Sequence, residues 1–280
     1  MLPFPLTGAQ KRVLKEIRTD LKRPVQMNRL VQGDVGSGKT MVAFMSMLLA
    51  LDNGFQSALM APTEILAEQH YRNMVKYSAH LGIKVALLTG SVKGSERKQV
   101  LAGLKAGYFQ ILIGTHALIE DAVEFDRLGL VVVDEQHKFG VMQRAKLWSK
   151  GAQGLFPHNM VMTATPIPRT LALTVYGDVD VSKIDEMPPG RKPVVTAVRL
   201  EEHRLHVFGF LRGELNAGRQ VYVVYPLVEE SEKLDLLAVT EGYESISRAF
   251  QGFQVGIVHG KMKPEAKDYE MQRFKKGESH

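Results

Sequence analysis

Short apolar runs alternate with longer amphipathic stretches through the first two-thirds of the chain. The runs RLVQ (29–32), SALMAP (57–62), VALLTG (85–90), ILIGT (111–115), LVVVDE (130–135) and MVMTAT (160–165) predict β-strands. Between them, residues 38–53, 64–80 and 95–106 carry helical patterning. Val131, Val132 and Val133 are consecutive and β-branched, which suits a strand buried on both faces. Strand alternating with helix means repeated βαβ units, so the predicted class is α/β, doubly wound around a parallel sheet.

The rhythm breaks at DEMPPGRKP (185–193), where Pro188, Pro189, Gly190 and Pro193 can continue neither a helix nor a central strand. After this break the alternation restarts. Strands are expected at VVTAVRL (194–200), QVYVVYP (220–226) and QVGIVHG (254–260), with helices near 202–217, 240–250 and 264–276. The expected organisation is therefore a first lobe over 1–187, a linker over 188–193 and a short, incomplete second lobe over 194–280. Such a second lobe would leave a strand edge and apolar helix faces uncovered.

Composition adds exclusions. The 45% apolar and 24% charged content is that of a globular chain, which excludes wholesale disorder. No run of eighteen apolar residues exists, so a membrane span is not expected, nor does the N-terminal MLPFPLTGAQKRV look like a secretory signal. The absence of cysteine rules out disulfides, thiolate metal sites and a cysteine nucleophile, and is compatible with a reducing cytoplasm. His70, His80, His158, His203 and His206 share no ligand spacing with carboxylates, so no zinc site is expected. Net charge is +6, with most of the excess before residue 190. A basic first lobe fits a polyanionic partner without requiring one.

The candidate chemistry begins at QGDVGSGKT. Gly33, Gly38, Lys39 and Thr40 match G-x-x-x-x-G-K-[ST], with Gly36 and Ser37 inside the loop. Glycines there let backbone N–H groups converge on an anion, and the helix starting near Lys39 aims its positive end at the same place. If Lys39 and Thr40 hold phosphates and Mg²⁺, an acidic pair should end another buried strand. Asp134 and Glu135 do so at the carboxyl end of LGLVVVDE. Asp134 and Thr40 would hold the metal, while Glu135 would orient and deprotonate the attacking water. Thr163 and Thr165, in MTATPIPRT, end a further apolar strand where their hydroxyls can bond to the acidic pair.

Taken in order, LTGAQ, GDVGSGKT, APTEILAEQH, LLTG, IGTH, DEQHKFG and TATPIPRT resemble the superfamily 2 helicase motor, a pair of RecA-like P-loop lobes. QGDVGSGKT, DEQHKFG, DEMPPGR and VGIVHGKMKPEAK resemble in particular the RecG family of branched-DNA helicases; the transcription-repair coupling family of Mfd is the alternative. The resemblance implies ATP and Mg²⁺ as cofactors, with Gln10 reading the adenine. It implies that Pro62, Thr63, Thr89, Gly90, Thr115 and His116 contact DNA, with Glu64 as a helix cap. Gln136 and His137 would couple the nucleotide site to DNA, together with Thr163 and Thr165.

By the same resemblance the chain is expected to be a motor fragment of a cytoplasmic, monomeric helicase that remodels stalled forks and Holliday junctions in recombination and repair. The expected partners are double-stranded and branched DNA. The arginines that would reach across from the second lobe are missing, so slow hydrolysis and weak DNA binding without branch preference are expected of the fragment. Two other classes stay open: a nucleotide-dependent interaction module without motor activity, and a small-molecule kinase. A kinase would not need TATPIPRT and would ignore duplex DNA.

Overall fold

The computed structural model describes residues 5–135, 146–151, 155–167, 179–190, 194–225 and 232–280. Chain contacts divide the molecule into two units, Met1–Lys192 and Pro193–His280.

The first unit is built on a seven-stranded sheet. Its strands are β1 (Asn28–Gly33), β2 (Gln56–Met60), β3 (Val85–Leu88), β4 (Ile111–Gly114), β5 (Leu128–Asp134), β6 (His158–Thr163) and β7 (Asp180–Ile184). All pairings are parallel, in the order β3-β4-β2-β5-β6-β1-β7. Successive residues of one strand serve opposite faces. Leu130 and Val132 of β5 pack with Val13 and Ile17 of α1 (Gly8–Leu21), Phe44 and Met47 of α2 (Lys39–Asp52), and Met74 of α3 (Glu64–Ser78). Val131 and Val133 pack on the other side with Val100 and Leu104 of α4 (Gly94–Lys105). A continuous apolar strand is the consequence of covering both faces.

Two elements of this unit lie outside the strand–helix alternation expected from the sequence. Helix α1 is fixed at its start by a capping box, in which Thr7 Oγ1 accepts from the Gln10 N–H and Gln10 Oε1 accepts from the Thr7 N–H. Strand β7 is a short edge strand with alternate exposure, held in register beside β1 from Arg29–Asp180 to Gly33–Ile184. A buried ion network reinforces that corner. Arg29 on β1 donates to Asp20 of α1 and to Ser182 of β7, and lies 3.4 Å from Glu16.

The DEMPPGR segment begins as part of this unit. Asp185 pairs with Arg12 of α1 at 2.7 Å, and Glu186 accepts from the Ala9 N–H at 3.1 Å. Of the expected linker 188–193, residues 191–193 lie outside the described residues.

The second unit departs from expectation. Its helices form, as α5 (Arg204–Asn216), α6 (Glu232–Ala249) and α7 (Pro264–Lys275). The expected strands at 194–200, 220–226 and 254–260 do not form among the described residues, where 194–200, 221–225 and 254–259 carry no ladder. A strand is defined by a hydrogen-bonded neighbour, and these segments lack one. Val194 and Val195 are exposed. The segments near Val221–Tyr225 and Gln254–Val258 line an apolar cavity of about 320 Å³, also faced by Tyr243 and Ile246. His280 bridges them: its C=O accepts from the Val221 N–H and its N–H donates to the Gln254 C=O. A small core of Leu215, Ile246 and Phe250 anchors the helices, with Phe208 edge-on to Phe250.

Candidate nucleotide site and the carboxyl edge of the sheet

Parallel strands that all point one way deliver their following loops to one edge, where ligands bind in open α/β sheets. The sequence-predicted residues in the described part of the first unit are distributed along that edge. Gln10 reaches it from α1, the element beside it. Thr89–Gly90, Thr115–His116 and Pro62–Thr63 follow β3, β4 and β2 on one half of the edge. Asp134–Glu135, Thr163–Thr165 and the glycine loop follow or end β5, β6 and β1 on the other. Gln136 and His137 lie outside the described residues.

The glycine loop is shaped for close approach. Gly36 and Gly38 have φ of 83° and 89°, in the left-handed region that side chains resist. A Cβ on Gly33 would sit 2.5 Å from Ser37 Oγ, and one on Gly38 would collide with the Gln10 amide. Ser37 is buried, and its hydroxyl has no hydrogen-bond partner among the described residues. Lys39 Nζ donates to the carbonyls of Gly33 at 2.6 Å and Asp34 at 3.0 Å. Burial lowers the Lys39 pKa, while the carboxylates of Glu135, Asp134 and Asp34 act against that shift, which brings the lysine and the acidic pair into one electrostatic site. A cation resting on loop carbonyls, a buried hydroxyl unpartnered among the described residues and glycines in strained or crowded positions together form a donor set that fits a polyphosphate with its metal.

Gln10 has both ends of its amide engaged. Oε1 takes the Thr7 N–H, and Nε2 donates to the Ser37 carbonyl at 2.8 Å. It therefore braces the glycine loop from α1, and reading a base would require exchanging one of these partners.

The acidic pair and the threonines meet directly. Thr163 Oγ1 donates to Glu135 Oε2 at 3.0 Å, the Ala164 N–H donates to Glu135 Oε1 at 3.1 Å, and the Thr165 N–H donates to Thr163 Oγ1 at 3.1 Å. Among the described residues, Glu135 is the one non-glycine at positive φ, 49°. Such a conformation costs energy and persists where surrounding contacts hold it, as they do here. Asp134 accepts from His70 of α3 at 2.8 Å. Thr40, half-buried, follows Lys39 at the start of α2.

On the other half of the edge, Thr63 caps α3 by accepting from the Leu66 N–H. Glu64, expected as the cap, instead accepts from the Ser91 N–H at 3.2 Å and so ties α3 to the loop after β3; a residue inside the first turn points past its own cap position. The hydroxyls of Thr89 and Thr115 are turned inward. Thr89 Oγ1 bonds to Ser91 Oγ at 2.7 Å, and Thr115 Oγ1 is buried without a partner among the described residues. Of the residues expected to contact DNA here, Thr63, Gly90 and His116 are exposed.

The roles of His70, Gln32 and Glu186 are not legible in the sequence, where His70 enters only among the histidines set aside as zinc ligands. Gln32 donates to the Ile167 carbonyl at 2.8 Å, joining β1 to the loop after β6. His70 carried a signal, because it is the one ionisable residue in the buried α3 stripe Ala67, His70, Met74, Ser78.

Residues 7–174 match the model of the DEAD/DEAH box helicase family, a span that holds the glycine loop, the acidic pair and the threonines. The chain belongs to the DEAD/DEAH box helicase family. Within it, the chain is 54% identical over 275 residues to the ATP-dependent DNA helicase RecG of Aquifex aeolicus and 53% identical over 274 residues to that of Bacillus subtilis. Each alignment takes in 98% of this chain but only 35% and 40% of those relatives, so the chain spans little more than a third of their length. A solved RecG bound to a three-way DNA junction is 45% identical and superposes with a TM-score of 0.78 over 99% of this chain and 35% of its own. The yeast helicase Dbp5 bound to RNA and ADP BeF3, at 17% identity and TM-score 0.67, covers 98% of this chain and 68% of its own and shares the fold alone. The seven-stranded parallel sheet with its flanking helices is thus the RecA-like helicase fold of this family, and nucleotide use follows from membership.

Proposed function

We propose that the chain is the ATP-binding part of a DNA-remodelling motor that acts on branched duplex DNA, as in fork and junction repair. The carrying observation is the contact between Thr163 and Glu135, beside a lysine resting on loop carbonyls, at one edge of one sheet. Residues 1–187 would form the nucleotide-binding lobe and 194–280 part of a second lobe, in a soluble, cytoplasmic, monomeric protein.

In this reading Lys39 leaves the Gly33 and Asp34 carbonyls for the phosphates, and the N-terminal dipole of α2 adds to its attraction. Gln10, released from Ser37, pairs with the adenine edge. Thr40 and Asp134 hold Mg²⁺, which when bound neutralises charge on the phosphate oxygens. Glu135 accepts a proton from the attacking water, and its carboxylate plane is set by Thr163 and Ala164. Loss of a proton from water to Glu135 alters the charge that Thr163 feels, which gives the loop after β6 a signal of the nucleotide state. Thr63, Gly90 and His116 contact the DNA backbone, which positions the duplex without reading sequence. Gln136 and His137 would couple the nucleotide site to the DNA.

The test is ATP turnover by this chain with and without three-way-junction DNA, at two salt concentrations. Slow turnover that DNA raises, less so at high salt, is expected. Turnover indifferent to DNA at both salts would overturn the DNA reading.

A further inference from the structure

His70 sits in the second turn of α3, and its Nε2 lies 2.8 Å from Asp134 Oδ2, the two side chains being 9% and 14% exposed. An ionised carboxylate only accepts, so Nε2 is the donor in this contact. Nδ1 is buried and has no hydrogen-bond partner among the described residues. An unsatisfied buried polar atom costs on the order of 1–3 kcal/mol, so packing alone favours leucine or methionine over histidine at this place in the stripe. The contact to Asp134 is what distinguishes histidine from them.

The same helix is tied to the other half of the edge. Its cap is Thr63, and Glu64 in its first turn holds the Ser91 N–H. Seven residues of helix, about 10 Å, separate Thr63 from His70. A rigid helix therefore connects the loops after β2 and β3 to the carboxylate that ends β5.

We propose that His70 is a positioning residue for Asp134. It fixes the carboxylate through Oδ2, leaves Oδ1 for the metal, and makes α3 the mechanical link between the DNA-facing loops and the metal-holding group. The proposal rests on the reading of Asp134 as a Mg²⁺ holder. Outer-shell partners of ligating carboxylates typically change metal affinity by about 10–100-fold when removed.

Mg²⁺ is titrated against a fluorescent ADP bound to the parent chain, His70→Leu, His70→Gln and Asp134→Asn, with thermal unfolding of each. His70→Leu keeps the apolar volume and is expected to be at least as stable as the parent. Its affinity for metal-free ADP is expected to stay within about two-fold, while the Mg²⁺ needed for half-maximal enhancement rises roughly ten-fold. His70→Gln, whose amide can still donate to Asp134, recovers most of that loss. Should the leucine variant not fold, His70→Asn, too short to reach Asp134, takes its place. A His70→Leu titration that overlays the parent while Asp134→Asn is shifted would overturn the positioning role. An unshifted Asp134→Asn would overturn the reading of Asp134 itself, and the proposal with it.

Discussion

The hydroxyl of Thr163 donates to Glu135 Oε2 at 3.0 Å, from the end of β6 to the residue that follows β5. The two strands are adjacent and in register from Leu130–His158 to Asp134–Met162, so the loop residues at their ends meet as a matter of topology. Glu135 holds its left-handed backbone in part through the bond of its own N–H to the Met162 carbonyl at 2.9 Å. Carboxylate and hydroxyl are thus presented to each other by backbone that is itself fixed.

Replacing Thr163 by valine keeps the shape and removes the donor. Nucleotide affinity is expected to change by less than about three-fold, while turnover falls roughly ten- to a hundred-fold, the usual range for misplacing a general base. Parallel binding and single-turnover measurements separate the two; an equal loss in both would mean that Thr163 supports the loop and not the chemistry.

Gly38→Ala attacks the cradle twice. It places a side chain at φ 89°, costing about 1–2 kcal/mol, and drives a methyl into the Gln10 amide. The expected result is a lower unfolding midpoint together with at least a ten-fold loss of ADP affinity. Gly82→Ala, also at positive φ but with nothing near its Cβ, should lose stability and keep affinity.

Arg29 is the buried hub between α1, β1 and β7. Truncation to alanine strands Asp20 without its main partner in a closed site and is expected to cost about 3–5 kcal/mol, read by urea unfolding. Arg29→Met, which also removes the charge but fills the volume, should cost no less than half of that, because Asp20 remains.

His158 gives the first unit a pH dependence. Its Nδ1 accepts from the Met27 N–H at 2.9 Å, which demands the neutral ring, and burial pushes its pKa down against a smaller opposing pull from Asp20. With the folded pKa below the unfolded value of about 6.5, the unfolded state binds more protons in that interval. The stabilisation is therefore complete above about pH 6.5 and is lost as pH falls through the lowered folded value. His158→Asn keeps an acceptor that does not titrate, so its stability should fall less than the parent's between neutral and mildly acidic pH, measured by thermal unfolding at each.

The six strands and the glycine loop were legible because burial on both faces writes long apolar runs, and because a phosphate cradle tolerates few residues. Helix α1 does repeat apolar positions, at Ala9, Val13 and Ile17, but it precedes the first strand, outside the strand–helix alternation, and its start depends on a capping box between Thr7 and Gln10. β7 was hidden by its short, polar, edge-strand character. The ladder expected at 220–226 and 254–260 failed for a different reason: apolar alternation reports a buried face and says nothing of which strand lies alongside. Side-chain partnerships across the edge, such as His70 with Asp134 or Glu64 with Ser91, depend on helix placement, and only the fold reveals them.

The central claim is that the glycine loop binds Mg²⁺–nucleotide through Lys39 and that Glu135 activates water. It is tested most directly by calorimetric titration of ATP and by single-turnover hydrolysis, on the parent chain, Lys39→Ala and Glu135→Gln. The account predicts ATP binding by the parent, at least a ten-fold weaker affinity in Lys39→Ala, and retained binding with abolished hydrolysis in Glu135→Gln. Undiminished affinity in Lys39→Ala, or hydrolysis that survives in Glu135→Gln, would contradict it.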